Sequence, residues 1–291
     1  MSFAALADRI TGGLCDDAAL FPPGSLPLEE AVPAHVEHRG GPHRRMVGPF
    51  VVAASQLPAL APVVQDHRPG SFEVAVTVPS PAAVDRAMRS AGQVPALRVV
   101  AVEVAVPADV AAADVVPALD VALTGWPDVT VFVELPRDER RGALVAALSG
   151  TSYLAKLRTG GVEAHLYPDE DELASMLVDT ARAGLPVKAT AGLHHAVRNT
   201  DPGTGFEQHG FLNVIAAVDA ALSGAGTEEL AAVLAERNPD TVAARVRDIG
   251  SRVDRVREQF RSIGTCSIDE PVQELVELGL APAPLLEGAS R

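Results

Sequence analysis

Two lysines stand in this chain, Lys156 and Lys188, against 22 arginines. On a surface Arg commonly replaces Lys, but not where a compact ammonium or a deprotonatable amine is required. The two lysines therefore mark positions where arginine fails. Two ammonium groups held close repel each other, and repulsion with desolvation lowers the pKa of one toward neutrality. A neutral amine attacks a carbonyl and forms a Schiff base. Its charged neighbour can hold a phosphate or carboxylate, or shuttle a proton.

Other polar groups are spaced to join them. Glu103 sits in the aliphatic run Val102-Glu103-Val104, where a buried carboxylate needs a cation, a metal or a proton. Glu134 ends another such run and is placed for acid–base work. Arg158 shares a strand face with Lys156 and suits bidentate clamping of an anionic substituent. Thr159-Gly160-Gly161 follows, a turn whose amides can approach an anion. Thr190 shares a face with Lys188. His194 and His195 come next, as substrate-side or proton-transfer groups, and His209 and Asn213 can reach the same face. Two adjacent histidines without a third spaced ligand specify no metal. Cys266 reads as a small buried thiol, and Asp16-Asp17 as a turn cap or a cation-binding pair.

The elements that must position these groups are legible as Val-rich runs. They lie at 49–54, 72–78, 97–104, 129–134, 152–158 and 186–190, spaced by about one βα unit. Helical patterns at 81–91, 138–149 and 169–183 alternate with them, and further helices fit 211–222, 227–236 and 250–261. A seventh strand is placed at 241–246 and an eighth at 262–267, with a closing helix at 270–278. Eight strands predict a (β/α)8 TIM-type barrel, with a doubly wound open sheet as the alternative. On this count Lys156 is on the fifth strand and Lys188 on the sixth. Residues 1–46 read as an N-terminal extension, including a helix at 28–38 closing the barrel's bottom, and 47–291 as the barrel.

Composition excludes several classes. A net charge of −14 with no basic run argues against nucleic acid and anionic membranes as partners. Two distant cysteines, Cys15 and Cys266, give neither a zinc nor a disulfide framework. The N-terminus lacks a secretory pattern and no apolar run reaches spanning length, so a cytoplasmic protein is expected. Nothing in the sequence fixes the oligomeric state, and a homo-oligomer is compatible with it.

Val187-Lys188-Ala-Thr-Ala-Gly192 resembles the Lys-Thr/Ser-x-Thr/Ser-Gly strand end of the deoxyribose-phosphate aldolases. Lys156-Leu-Arg-Thr-Gly-Gly161 resembles that family's second lysine motif in style. The resemblance implies a Schiff-base barrel with two lysines on adjacent strands and Lys188 as the imine-forming residue. A sixth-strand lysine also matches several other class I aldolases. Two departures stand out. The family's second lysine follows the imine lysine on the next strand, whereas Lys156 precedes Lys188. The place of its strand-4 aspartate falls to Glu134. The chain as a whole also resembles uncharacterised actinobacterial barrel proteins that carry these two segments, a likeness that implies no activity.

The expectation is a lyase or aldolase-type enzyme acting on a small anionic carbonyl or phosphorylated metabolite, without a cofactor. Lys188, Lys156 and Glu134 would be catalytic. An alternative uses Mg²⁺ or another divalent metal on Glu103 and Glu134, with a lysine as base or enolate stabiliser. Another is a barrel that binds a phosphorylated metabolite without turnover. A phosphoribosyl-transfer barrel lacks the acidic diphosphate–metal motif it needs.

Overall fold

The Val-rich runs form parallel strands because β-branched side chains pack well on both faces of a covered sheet. In the computed structural model, which describes residues 3–282, they close on themselves. The strands are β1 (Cys15–Asp17), β2 (Val47–Ala53), β3 (Phe72–Val78), β4 (Leu97–Val104), β5 (Thr130–Glu134), β6 (Leu154–Arg158) and β7 (Val187–Thr190). Then come a two-stranded hairpin, β8 (Asn199–Thr200) with β9 (Glu207–Gln208), and β10 (Phe260–Thr265). Barrel order is β1-β10-β7-β6-β5-β4-β3-β2, and all eight neighbouring pairs are parallel. Helices lie between successive strands, so the fold is a (β/α)8 barrel and the open-sheet alternative falls.

Two expectations are corrected. The seventh strand placed at 241–246 is helical. It lies inside the helix Pro239–Ile249, whose Asn238 cap accepts a hydrogen bond from the Thr241 amide at 3.0 Å. The missing strand is β1, three residues long, within the segment read as an extension. The boundary at 46/47 therefore cuts through the barrel. The helix Leu28–Gly40 packs beside β2 and the helix Leu57–Val63, as the outer helix of the first βα unit, and does not plug the bottom. Residues 1–2 and 283–291 of the two expected segments lie outside the described residues.

The main core fills the space between sheet and helices, with Leu57, Leu60, Met88, Leu119, Leu144 and Phe211 fully buried. Strand alternation sends the other face inward. There Val51, Ala75, Ala101 and Phe132 make a small apolar layer of their own. The next inward positions belong to ionisable side chains, so the strands' continuous hydrophobicity comes from their outer face. Among the described residues no helix is long and apolar enough to cross a membrane.

Candidate active site

Inward-facing residues one register row apart assemble a ladder of alternating charge. Register sets Glu134 beside Lys156 and Lys156 beside Lys188. Lys188 Nζ donates to Asp16 Oδ2 and to Glu103 Oε1, each at 2.5 Å. The other oxygen of Glu103 accepts from Lys156 Nζ at 3.3 Å. Lys156 Nζ lies 2.9 Å from Glu134 Oε2, an ion pair without hydrogen-bond alignment. Arg158 Nε donates to Glu134 Oε1 at 3.0 Å. Ser262 Oγ donates to Asp16 Oδ2 at 2.7 Å, and the Phe132 ring centroid lies 5.1 Å from Lys188 Nζ. Three carboxylates thus alternate with three cations. Both amines touch one carboxylate, well inside the ~10 Å range of strong direct coupling.

The interposed carboxylates reverse the expected electrostatics of Lys188. Burial works to lower its pKa, but Asp16 and Glu103 outweigh it and the pKa rises above the ordinary lysine value. Lys188 is therefore a permanent ammonium, and the expected lowering by its neighbour does not occur there. Burial would raise Glu103, yet the two ammonium groups hold it down to about 2. Glu134 is also lowered, since Lys156 and Arg158 outweigh its burial. Asp16 goes the other way: burial raises it despite Lys188 and Ser262. Of the acids in the ladder, Asp16 is the one nearest to accepting a proton.

The ladder forms one wall of a cavity of about 1000 Å³ at the C-terminal ends of the strands. Glu103, Glu134, Lys156, Arg158, Thr190 and His194 line it. Lys188 does not. Its side chain is wholly buried, whereas that of Lys156 keeps 8% exposure. One lysine reaches the cavity, and the other stands behind it.

The remaining expected residues divide. Gly161 lines the cavity, but Gly160 is packed against Gly192 and Tyr167, where a Cβ would lie 2.8 Å from each. Thr159 is buried and donates to the carbonyls of Thr190 and Ala191, tying β6 to β7. Ala191 itself holds φ +69°, a strained conformation for a side-chain-bearing residue, at the cavity wall. His195 faces away and bonds Glu274 at 2.6 Å. Asn213 is buried in the helix Phe211–Leu222, accepting from the Arg198 amide and donating to the Val233 and Glu236 carbonyls. His209 bonds the Pro168 carbonyl at 2.8 Å. Thr159, Gly160, His195 and Asn213 thus make ties within the fold and do not line the cavity. Glu103 and Glu134, the acids of the metal alternative, face the nitrogens of Lys188, Lys156 and Arg158.

His194 stands at the cavity rim beside Cys266 and Glu270. Burial disfavours its charge, but hydrogen bonding to Cys266 and Glu270 raises its pKa to about 10. It is an imidazolium at neutral pH. Sequence reasoning missed Asp16 as a ladder member, along with Ser262 and Arg86, a further cation on the cavity wall. A signal for Asp16 existed in the glycine at 48. A Cβ there would lie 2.1 Å from Asp16 Oδ1, so only glycine lets the carboxylate turn inward.

No family model matches this sequence, and no curated protein matches it. Four solved chains do. One is a dihydrodipicolinate synthase from Oceanobacillus iheyensis, 13% identical, with a TM-score of 0.38, covering 95% of this chain and 98% of that one. A superposition that loose bears on neither activity nor substrate, and the barrel assignment rests on the closed sheet itself.

Proposed function

We propose that the chain is a class I aldolase-type lyase that binds a small anionic carbonyl compound as an imine on Lys156. The observation that carries this is the division between the lysines: Lys156 reaches the cavity, while Lys188 is locked behind it. An ammonium and a carbonyl combine to a protonated imine and water, so the ladder's charge balance is the same before and after. Lys156 must first lose a proton to attack. Glu134, ionised and 2.9 Å away, is the acceptor, and returns the proton when the carbinolamine loses water. The iminium then draws electrons from the adjacent carbon–carbon or carbon–hydrogen bond. Glu103, fixed by Lys188, stabilises the iminium as it forms. Arg158, Arg86 and the His194 imidazolium give the cavity the positive charge that an anionic substituent needs.

Counting β1 supports this assignment further. Lys156 becomes the sixth-strand lysine and Lys188 the seventh, so the strand order of the deoxyribose-phosphate aldolases puts Lys156 in the imine position, against the motif match that gave it to Lys188. Glu103 then occupies the strand-4 acidic position that had been given to Glu134. The role of imine-former moves from Lys188 to Lys156 for the same reason.

The test is a panel of keto acids, aldehydes and sugar phosphates incubated with the protein and sodium borohydride. At least one should add its reduced mass to the intact chain, and Lys156→Arg should abolish the gain. If no carbonyl compound is trapped, or if Lys156→Arg traps as well as the parent, the proposal is wrong.

A further inference from the structure

Outside the cavity, a second group of side chains converges at the seam where the barrel's first and last units meet. His38 lies near the end of the helix Leu28–Gly40, His43 in the turn leading to β2, and Asp269 at the start of the helix Asp269–Glu277. One ligand-capable atom from each falls within 4.8 Å of the others. His38 Nδ1 and His43 Nε2 face each other at 3.0 Å, and Asp269 Oδ1 lies 3.9 Å from His38 Nδ1. His43 is buried and His38 half-buried. The Asp269 side chain is half-exposed, but its Oδ1 oxygen is shielded from solvent and accepts no hydrogen bond. A buried carboxylate oxygen with nothing to accept is expensive unless a cation completes it.

We propose that His38, His43 and Asp269 bind a transition-metal dication of the zinc class. An ion bound by imidazole sits about 2.0–2.1 Å from each nitrogen, which at a tetrahedral angle separates two nitrogens by roughly 3.3–3.4 Å. The two imidazoles, now hydrogen-bonded to each other at 3.0 Å, need open by only about 0.3–0.4 Å to admit it. The Asp269 oxygen lies 3.9 Å from the His38 nitrogen and within 4.8 Å of the His43 nitrogen, so it must close by about 0.5–1.5 Å to reach the same sphere. Two imidazoles and one carboxylate favour Zn²⁺, Co²⁺ or Ni²⁺ over Mg²⁺ or Ca²⁺, which prefer all-oxygen sets. Three protein ligands leave a fourth position for water.

The location gives the ion a structural task. β1 meets β10 over three register positions, Cys15 to Ile263 through Asp17 to Thr265. That short ladder joins the first βα unit to the last. A metal holding residues 38 and 43 to residue 269 staples the same seam from outside. It also fixes the end of the segment from Cys266 to Glu270, which carries the partners of His194 at the cavity rim.

The test uses the full chain stripped with EDTA and titrated with Zn²⁺ and Co²⁺. Equilibrium dialysis should give one tightly bound ion per chain. Co²⁺ should develop visible ligand-field bands that Zn²⁺ abolishes. Saturating Zn²⁺ should raise the melting temperature by about 5 °C, since the ion binds only the folded state. Asp269→Asn and His38→Gln, both at partly exposed positions, should keep the metal-free melting curve and weaken binding at least ~10–100-fold. His194→Gln should leave affinity unchanged. Stoichiometric binding that survives both ligand variants, or no ion bound at micromolar free Zn²⁺, would overturn the site.

Discussion

Lys156 and Lys188 are neighbours in register on adjacent strands, yet the molecule uses them differently. Lys188 is wholly buried between two carboxylates at 2.5 Å, its charge fixed by a pKa above the ordinary value. Lys156 holds one oxygen of Glu103 at 3.3 Å, meets Glu134 as an unaligned ion pair, and borders the cavity. The difference teaches that two lysines one register step apart take different exposure and different partners from the carboxylates set between them. Lys188 keeps Glu103 ionised and in place beside Lys156. A pair of lysines sharing no carboxylate would repel. Here Glu103 converts repulsion into a bridge.

Substitution should separate the two roles. Lys188→Met leaves Asp16 without its cation and Glu103 with Lys156 alone, and loss of one partner from a buried ion pair costs about 3–5 kcal/mol. Urea denaturation should show a drop of that size. Lys156→Met removes weaker contacts beside the cavity and should cost about 1 kcal/mol, near the ordinary net value of a hydrogen bond. Equal losses would break the comparison.

Gly48→Ala sharpens it from the far side of Lys188. Its Cβ would fall on Asp16 Oδ1, so the carboxylate must swing out or the strand must shift. Overpacking of this kind costs about 1–3 kcal/mol.

Acid titration offers a third measure. Glu103 has its pKa depressed to about 2 from an ordinary 4.5. A depressed carboxylate contributes stability that is complete above the unfolded value and lost as pH falls through the folded one. Stability should hold above about pH 4.5 and decline toward pH 2, by about 3 kcal/mol from this group. The Lys188→Met variant should lose much of that dependence. The smallest effect belongs to His195→Gln, which removes a half-exposed contact to Glu274 and should shift stability within about 0.5 kcal/mol. Imine trapping should be unchanged.

How much of this was legible in the sequence follows from the same chemistry. The scarcity of lysine pointed to both residues, and Val-rich periodicity gave six barrel strands. Strand β1 escaped because three residues, two of them acidic, carry no hydrophobic run. Its pairing comes from β2 and β10, which are remote in sequence. The amphipathic pattern at 241–246 filled the gap by mistake, although Asn238-Pro239 marks a helix start. That single slip moved each lysine one strand, Lys156 from fifth to sixth and Lys188 from sixth to seventh. His195 and Asn213 were polar residues near the right loops, but the sequence does not say that Glu274 and the Val233 and Glu236 carbonyls take them up.

The most direct test is to map the reduced adduct. After borohydride trapping with whichever carbonyl compound labels the chain, proteolysis and mass spectrometry identify the modified residue. The added mass should fall on Lys156, within the strand Leu154–Arg158, with Lys188 unmodified. An adduct on Lys188 would contradict the division of labour between the two lysines.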